Sequence, residues 1–208
     1  KPFDNASELL LTPDHYIFRM LYSQGISLQQ LGMQGTDKSA IADPKSAWCA
    51  FAKHYHLFLG TPSRIWLDHV FSTVFGLKEI LNEHSAALYY EHINAALQSP
   101  KFLPRSLLDR FQIETIATTE GALDSLASHQ LLNADGLGKQ VITTFRPDDV
   151  VDASREDFSG NLEKLAEITG EDTTSWQGYL SALRQRRHFF AQLGATATDH
   201  GHPSAQTA

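Results

Sequence analysis

Residues 141 to 148 read VITTFRPD. A run suited to a buried strand passes through Phe145 into Arg146 and is stopped by Pro147, which has no N–H to give a sheet ladder. A guanidinium is a planar fork that binds two oxygens at once. Arg146 is therefore either a solvated charge at a strand end, paired with Asp148 or Asp149, or a grip on an anionic group. The same choice recurs at two further strand ends, Thr118, Thr119 and Glu120 in one case and Asp199 and His200 in the other. Carboxylates and imidazoles move protons near neutral pH. Toward the start of the chain His15 and Tyr16 are adjacent, with Arg19 one helical turn on. An imidazole can shuttle a proton, a phenol can donate to an oxyanion, and Arg19 supplies a second cation. The plainer readings are a surface histidine at a helix start, an ion-paired Arg19, and a solvated crown of polar strand ends.

Residues 1–108 read as a mostly helical subdomain. Thr12-Pro13, Asp43-Pro44 and Thr61-Pro62 each offer a cap followed by a proline suited to the first helical turn. Tyr16, Met20 and Leu21 recur at helical spacing, as do Trp48, Phe51, Ala52 and Tyr55, and then Ile65, Trp66, His69 and Val70. Further helices are expected over 85–97 and 103–111. The period changes over 109–208. Strands are expected at 113–118, 140–145 and 195–198, a short helix or turn at 123–129, and helices from Asp157 or Ser159 and from Thr174 or Ser175. That order predicts an α/β fold, a parallel sheet of about three strands covered by helices. In such sheets chemistry collects at the carboxyl ends of the strands. Trp48, Trp66 and Trp176 fall on apolar faces and are expected in the core, and Cys49 is expected to be a buried small hydrophobe.

Composition bounds the classes. The chain has 208 residues, 42% hydrophobic and 20% charged, which argues against wholesale disorder. The net charge of -7 and the absence of a broad basic run, with Arg184, Arg186 and Arg187 the nearest cluster, argue against a nucleic-acid partner. No apolar run approaches the roughly 20 residues of a membrane helix. A single cysteine allows no intrachain disulfide and fits a cytoplasmic protein. The opening KPFDNASELL does not read as a signal peptide. Lys1 in place of Met, and HPSAQTA following a strand end, suggest a piece of something longer.

Taken together, His15-Tyr16 with Arg19, TTEGALDSLASH (118–129), TFRPD (144–148) and ATDHG (197–201) resemble the uronate isomerase family, also called glucuronate isomerase, of the amidohydrolase superfamily. The resemblance covers nearly the whole chain. It implies a partial (β/α)8 TIM-type barrel with a large helical insertion after the first strand. The family's His-x-His metal pair would precede His15, and its late Asp ligand would follow the chain. His54-Tyr55-His56 has the spacing of that pair but lies in a helical pattern, where i and i+2 point apart. There are departures. Trp66 and Phe75-Gly76 keep the spacing of the family's His-Trp-Thr-His stretch, but Ile65 and Asp68 replace its two histidines. Ile17 and Phe18 stand where Lys and Trp are common.

The resemblance implies an isomerase that interconverts aldohexuronates and ketohexuronates. Moving hydrogen between C2 and C1 through an enediol needs a base, a stabilised oxygen and a cation to hold the carboxylate. Asp199, His15 and Tyr16 are the expected catalytic residues, and Arg146, Arg19 and His200 the expected substrate-binding ones. His200 is also the candidate metal ligand for a divalent ion such as zinc, whose main ligands would lie outside this chain. A homo-oligomer in the cytoplasm is expected, and the 208 residues alone are expected to be inactive. A metal-dependent hydrolase of the same superfamily and a non-catalytic helical binding module are the alternatives.

Overall fold

A computed structural model describes residues 3–33 and 43–201. The HPSAQTA tail falls outside them. The chain divides into two units, Lys1–Phe111 and Gln112–Ala208.

The first unit is helical: α1 (Ala6–Leu10), α2 (His15–Ser23), α3 (Pro44–Lys53), α4 (Pro62–His69), α5 (Ala86–Leu97) and α6 (Pro104–Arg110). Local chemistry sets several starts. Asp43 accepts from the backbone N–H groups of Lys45 and Ser46, and Thr61 from that of Arg64, each followed by proline as expected. For α2 the expected cap is corrected. Asp14, not Thr12, accepts from the N–H groups of Tyr16 and Ile17, so the helix begins at His15.

The core of this unit is aromatic. Trp48, Phe51, Tyr55, Phe58, Phe71 and Tyr89 are all essentially fully buried. Their rings meet edge to face, with centroids 5.5 Å apart for Trp48 and Phe51 and 5.1 Å for Phe71 and Tyr89. The Trp48 indole N–H donates to the Ala86 carbonyl at 3.0 Å, so its burial leaves no donor unmet. Two other tryptophans contradict the expected core. Trp66 is half exposed because Leu67, its neighbour, takes the buried face of α4, and Trp176 is exposed at the first position of its helix. Cys49 is exposed as well, since Trp48 and Ala52 occupy the inner side of α3.

The second unit is α/β. Strands β1 (Ile116–Gly121) and β2 (Val141–Arg146) pair in parallel, from Ile116 opposite Val141 to Gly121 opposite Arg146. Helix α7 (Ala127–Ala134) makes the crossover between them. After β2 come α8 (Asp148–Val151), α9 (Phe158–Thr169) and α10 (Trp176–Gln192), the last capped by Ser175. The first strand lies three residues later than expected. The third expected strand, 195–198, is reduced among the described residues to one parallel bridge between Phe145 and Thr198. The Phe145 N–H donates to the Ala197 carbonyl at 3.2 Å, and the Asp199 N–H to the Phe145 carbonyl at 3.0 Å. Phe145 is buried against Phe190 of α10, with ring centroids 4.9 Å apart, in a cluster with Leu126, Val150, Leu165 and Ala182. This contact anchors the strand that ends in Arg146.

Candidate functional site

Strand alternation decides which polar end residues can meet. In β1, Thr118 and Glu120 share a face with Thr143 and Phe145 of β2, the face covered by helices. Thr118 Oγ1 lies 2.9 Å from Nε2 of buried His129, and the Thr143 hydroxyl donates to Glu120. These residues are occupied in packing α7 onto the sheet. The opposite parity carries Thr119, Gly121, Thr144 and Arg146, and on the neighbouring segment Asp199, one residue past the bridged Thr198.

Arg146 is accordingly brought to Asp199, with Nη1 3.3 Å from Oδ2. Its Nε donates to Asp148 Oδ2 at 2.9 Å. Arg146 therefore pairs with a neighbouring aspartate and also approaches Asp199. Asp149, the other neighbouring aspartate, turns away. Its carboxylate accepts from the backbone N–H of Ala122, in the loop after β1, at 3.3 Å. His200 joins the same group, with Nδ1 3.6 Å from Asp148 Oδ1. Alternation does not separate Asp199 from His200 because the extended pairing has ended at Thr198. The Gly201 N–H donates to Asp148 Oδ2 at 2.7 Å.

Charge follows this geometry. The hydrogen bond to Asp148, then the charge of Asp199, hold the Arg146 guanidinium more firmly in its charged form. For Asp148, burial is the largest single influence and favours the neutral acid. The hydrogen bonds from Arg146 and from the Gly201 N–H outweigh it, and the carboxyl sits below its ordinary range. Asp149 is pushed above that range by burial, against the hydrogen bonds from the Ala122 and Leu123 N–H groups.

The loop after β1 is clamped from a second side. Arg186 of α10 is buried, and it donates from Nε to the Ala122 carbonyl at 2.7 Å and from Nη2 to the Asp124 carbonyl at 2.6 Å. Reading the sequence assigned neither Asp149 nor Arg186 to this task. Arg186 belongs to the Arg184, Arg186 and Arg187 cluster of the sequence, and only its place on the inner side of α10 marks it apart.

In the helical unit, His15, Tyr16 and Arg19 are exposed at the start of α2. The rings of His15 and Tyr16 are 4.2 Å apart. Tyr16 and Arg19 line an open concavity of about 710 Å³ together with Met20, Phe58, Thr61 and Pro62. Asp68 accepts from the Tyr55 hydroxyl at 2.8 Å and from Arg64 Nε at 2.6 Å. Ile65 is exposed.

Among the described residues no three His, Cys, Asp or Glu side chains gather so as to hold a metal ion. His200 alone does not make such a set. No described helix is long and apolar enough to cross a membrane.

The sequence profile of the glucuronate isomerase family matches residues 1–207. The chain belongs to the glucuronate isomerase family. A uronate isomerase of Xanthomonas euvesicatoria pv. vesicatoria is 58% identical over 208 residues, covering 100% of this chain and 44% of the relative. One from Mesorhizobium japonicum is 52% identical over 209 residues, covering 100% of this chain and 45% of its own length. Among solved structures, glucuronate isomerase from Caulobacter crescentus superposes with a TM-score of 0.94 at 50% identity, over 100% of this chain and 43% of that one. Uronate isomerase from Thermotoga maritima gives a TM-score of 0.86 at 28% identity, over 96% of this chain and 42% of that one. The chain thus spans less than half the length of these glucuronate isomerase relatives.

Proposed function

We propose that this chain forms part of an aldose–ketose isomerase that interconverts aldohexuronates and ketohexuronates, D-glucuronate with D-fructuronate and D-galacturonate with D-tagaturonate. Family membership supports the reaction class. The observation that carries the reading to particular residues is Arg146 beside Asp199, a fixed guanidinium next to a carboxylate at the strand ends.

In this reading Arg146 binds the substrate carboxylate, which fixes the sugar so that C2 meets the base. Asp199 removes the C2 proton. The carbonyl oxygen at C1 takes up a proton to give the enediol. The C2 hydroxyl then gives up its proton while C1 receives one, so the aldehyde becomes a ketone with no net gain or loss of atoms. His15 and Tyr16 are proposed on their chemistry and the family resemblance as proton shuttle and oxyanion donor, and Arg19 and His200 as further substrate contacts.

The architecture belongs to the same proposal: a helical insertion over 1–108 and a partial (β/α)8 barrel over 109–208. A divalent metal such as zinc would take its main ligands from elsewhere in the whole protein, with His200 the candidate within this chain. A homo-oligomer in the cytoplasm completes the reading.

The test is isomerisation of D-glucuronate and D-galacturonate by the full-length protein and by Arg146→Lys. Lysine keeps the charge but loses the two-point grip, so KM rises about tenfold or more while kcat falls less. An unchanged KM in Arg146→Lys, or no ketouronate formed by the unaltered protein, defeats the proposal.

A further inference from the structure

The carboxylate of Asp148 makes more contacts than an ordinary surface ion pair. Oδ2 accepts from Arg146 Nε at 2.9 Å and from the Gly201 N–H at 2.7 Å, and Oδ1 faces His200 Nδ1 at 3.6 Å. One side chain therefore ties the tip of β2 to the backbone that follows Asp199. Its own base is fixed. Asp148 opens α8, whose carbonyls are held by Asn161 Nδ2 on Asp149 at 3.0 Å and by the Tyr179 hydroxyl on Val150 at 2.9 Å.

This geometry decides which part of the guanidinium is presented. The Nε–H is taken by Asp148, so the terminal Nη1 and Nη2 remain to meet Asp199 and a ligand. Space around the clamp is tight. A Cβ at Gly201 would stand 2.9 Å from Asp148 Oδ2 and 3.4 Å from Arg146 Nη2, so a larger residue there would displace the Asp148 carboxylate.

We propose that Asp148 is a positioning residue of the uronate site, holding Arg146 by Nε so that its Nη edge faces the substrate carboxylate, while seating the Asp199–Gly201 segment beside it. The proposal rests on the uronate isomerase reading and deepens it. Without Asp148, Arg146 keeps its charge but loses its fixed direction, and the substrate is held less often in the reactive pose.

The experiment is a double-mutant cycle in the full-length enzyme, with KM and kcat for D-glucuronate measured for Arg146→Ala, Asp148→Ala and the pair. Asp148→Ala is expected to raise KM about 10- to 100-fold, with a smaller loss in kcat. In the Arg146→Ala background the same change should add almost nothing, because the residue it positions is gone. Asp148→Asn, which keeps an oxygen to accept from the Gly201 N–H, guards against a folding defect. It should give an intermediate KM with an unchanged denaturation midpoint. Full additivity of Asp148→Ala and Arg146→Ala overturns the proposal, as does a wild-type KM in both Asp148 variants. If Arg146→Ala itself leaves KM unchanged, the role of Arg146 fails first. If Arg146→Ala raises KM and Asp148→Ala does not, only the positioning role fails.

Discussion

Arg146 Nη1 lies 3.3 Å from Asp199 Oδ2, and both side chains are nearly half exposed, at 42% and 45%. Parallel pairing delivers them there. Arg146 ends β2, and Asp199 follows the residue bridged to Phe145 on the adjacent segment. An exposed pair of this kind adds little to stability, because water screens it. The contact therefore costs little to give up, which suits a pair whose members are proposed to bind substrate.

Asp199→Asn is accordingly expected to separate activity from folding. The denaturation midpoint should hardly move, because the exposed pair adds little to stability. Turnover of D-glucuronate should fall about 100-fold or more if Asp199 is the base. Steady-state kinetics alongside urea denaturation reads both quantities.

Arg186 stands in a different position. It is buried, its guanidinium serves the carbonyls of Ala122 and Asp124, and burial pulls it toward its neutral form. Arg186→Met leaves two carbonyls near α10 without donors and is expected to destabilise by about 2–4 kcal/mol. Arg186→Lys recovers only part, because one ammonium cannot reproduce the planar fork. Chemical denaturation of the three proteins orders them.

Asp149 predicts a pH dependence of definite sign. Burial raises its folded value above the ordinary 3.8. Between 3.8 and that raised value the folded state binds more protons than the unfolded one, so this group makes stability fall as pH rises through the interval. Below 3.8 the cost vanishes, since both states are protonated. Asp149→Asn keeps an oxygen for the Ala122 N–H and removes the titration. Stability measured from pH 3.5 to 7 should lose this downward component in the variant. A slope identical to wild type would count against a raised Asp149.

The Tyr55 hydroxyl and Arg64 share Asp68, and the Arg64 guanidinium also stacks on the Tyr55 ring, 4.0 Å from its centroid. Tyr55→Phe removes one donor but leaves Asp68 with Arg64. A loss of about 1 kcal/mol is expected. Asp68→Ala leaves the buried hydroxyl without its acceptor and Arg64 with only its bond to the Tyr55 carbonyl, and should cost more than Tyr55→Phe. Equal midpoints for the two variants would show that Asp68 does not organise this corner.

By itself the sequence determined what short-range chemistry controls. Asp43-Pro44, Thr61-Pro62 and Ser175 start helices because a cap and the N–H groups it satisfies lie within three residues of each other. The change from helical to strand-and-helix period marked an α/β segment for the same reason, and the His-Tyr, TFRPD and ATDHG stretches named the family. Tertiary structure decided what depends on neighbours far along the chain. Leu67 rather than Trp66 faces the core of the first unit, since burial is set by the helices around α4. The strand expected at 195–198 shrinks to one bridged residue, because a strand exists only as far as a partner pairs with it. Asp148 and Asp149 are equally within reach of Arg146 in sequence. Burial of Asp149 against the loop after β1 sends it to Ala122, and leaves Asp148 to face Arg146, His200 and Gly201. No local pattern distinguishes two adjacent aspartates. The fold does so by bringing a different partner to each.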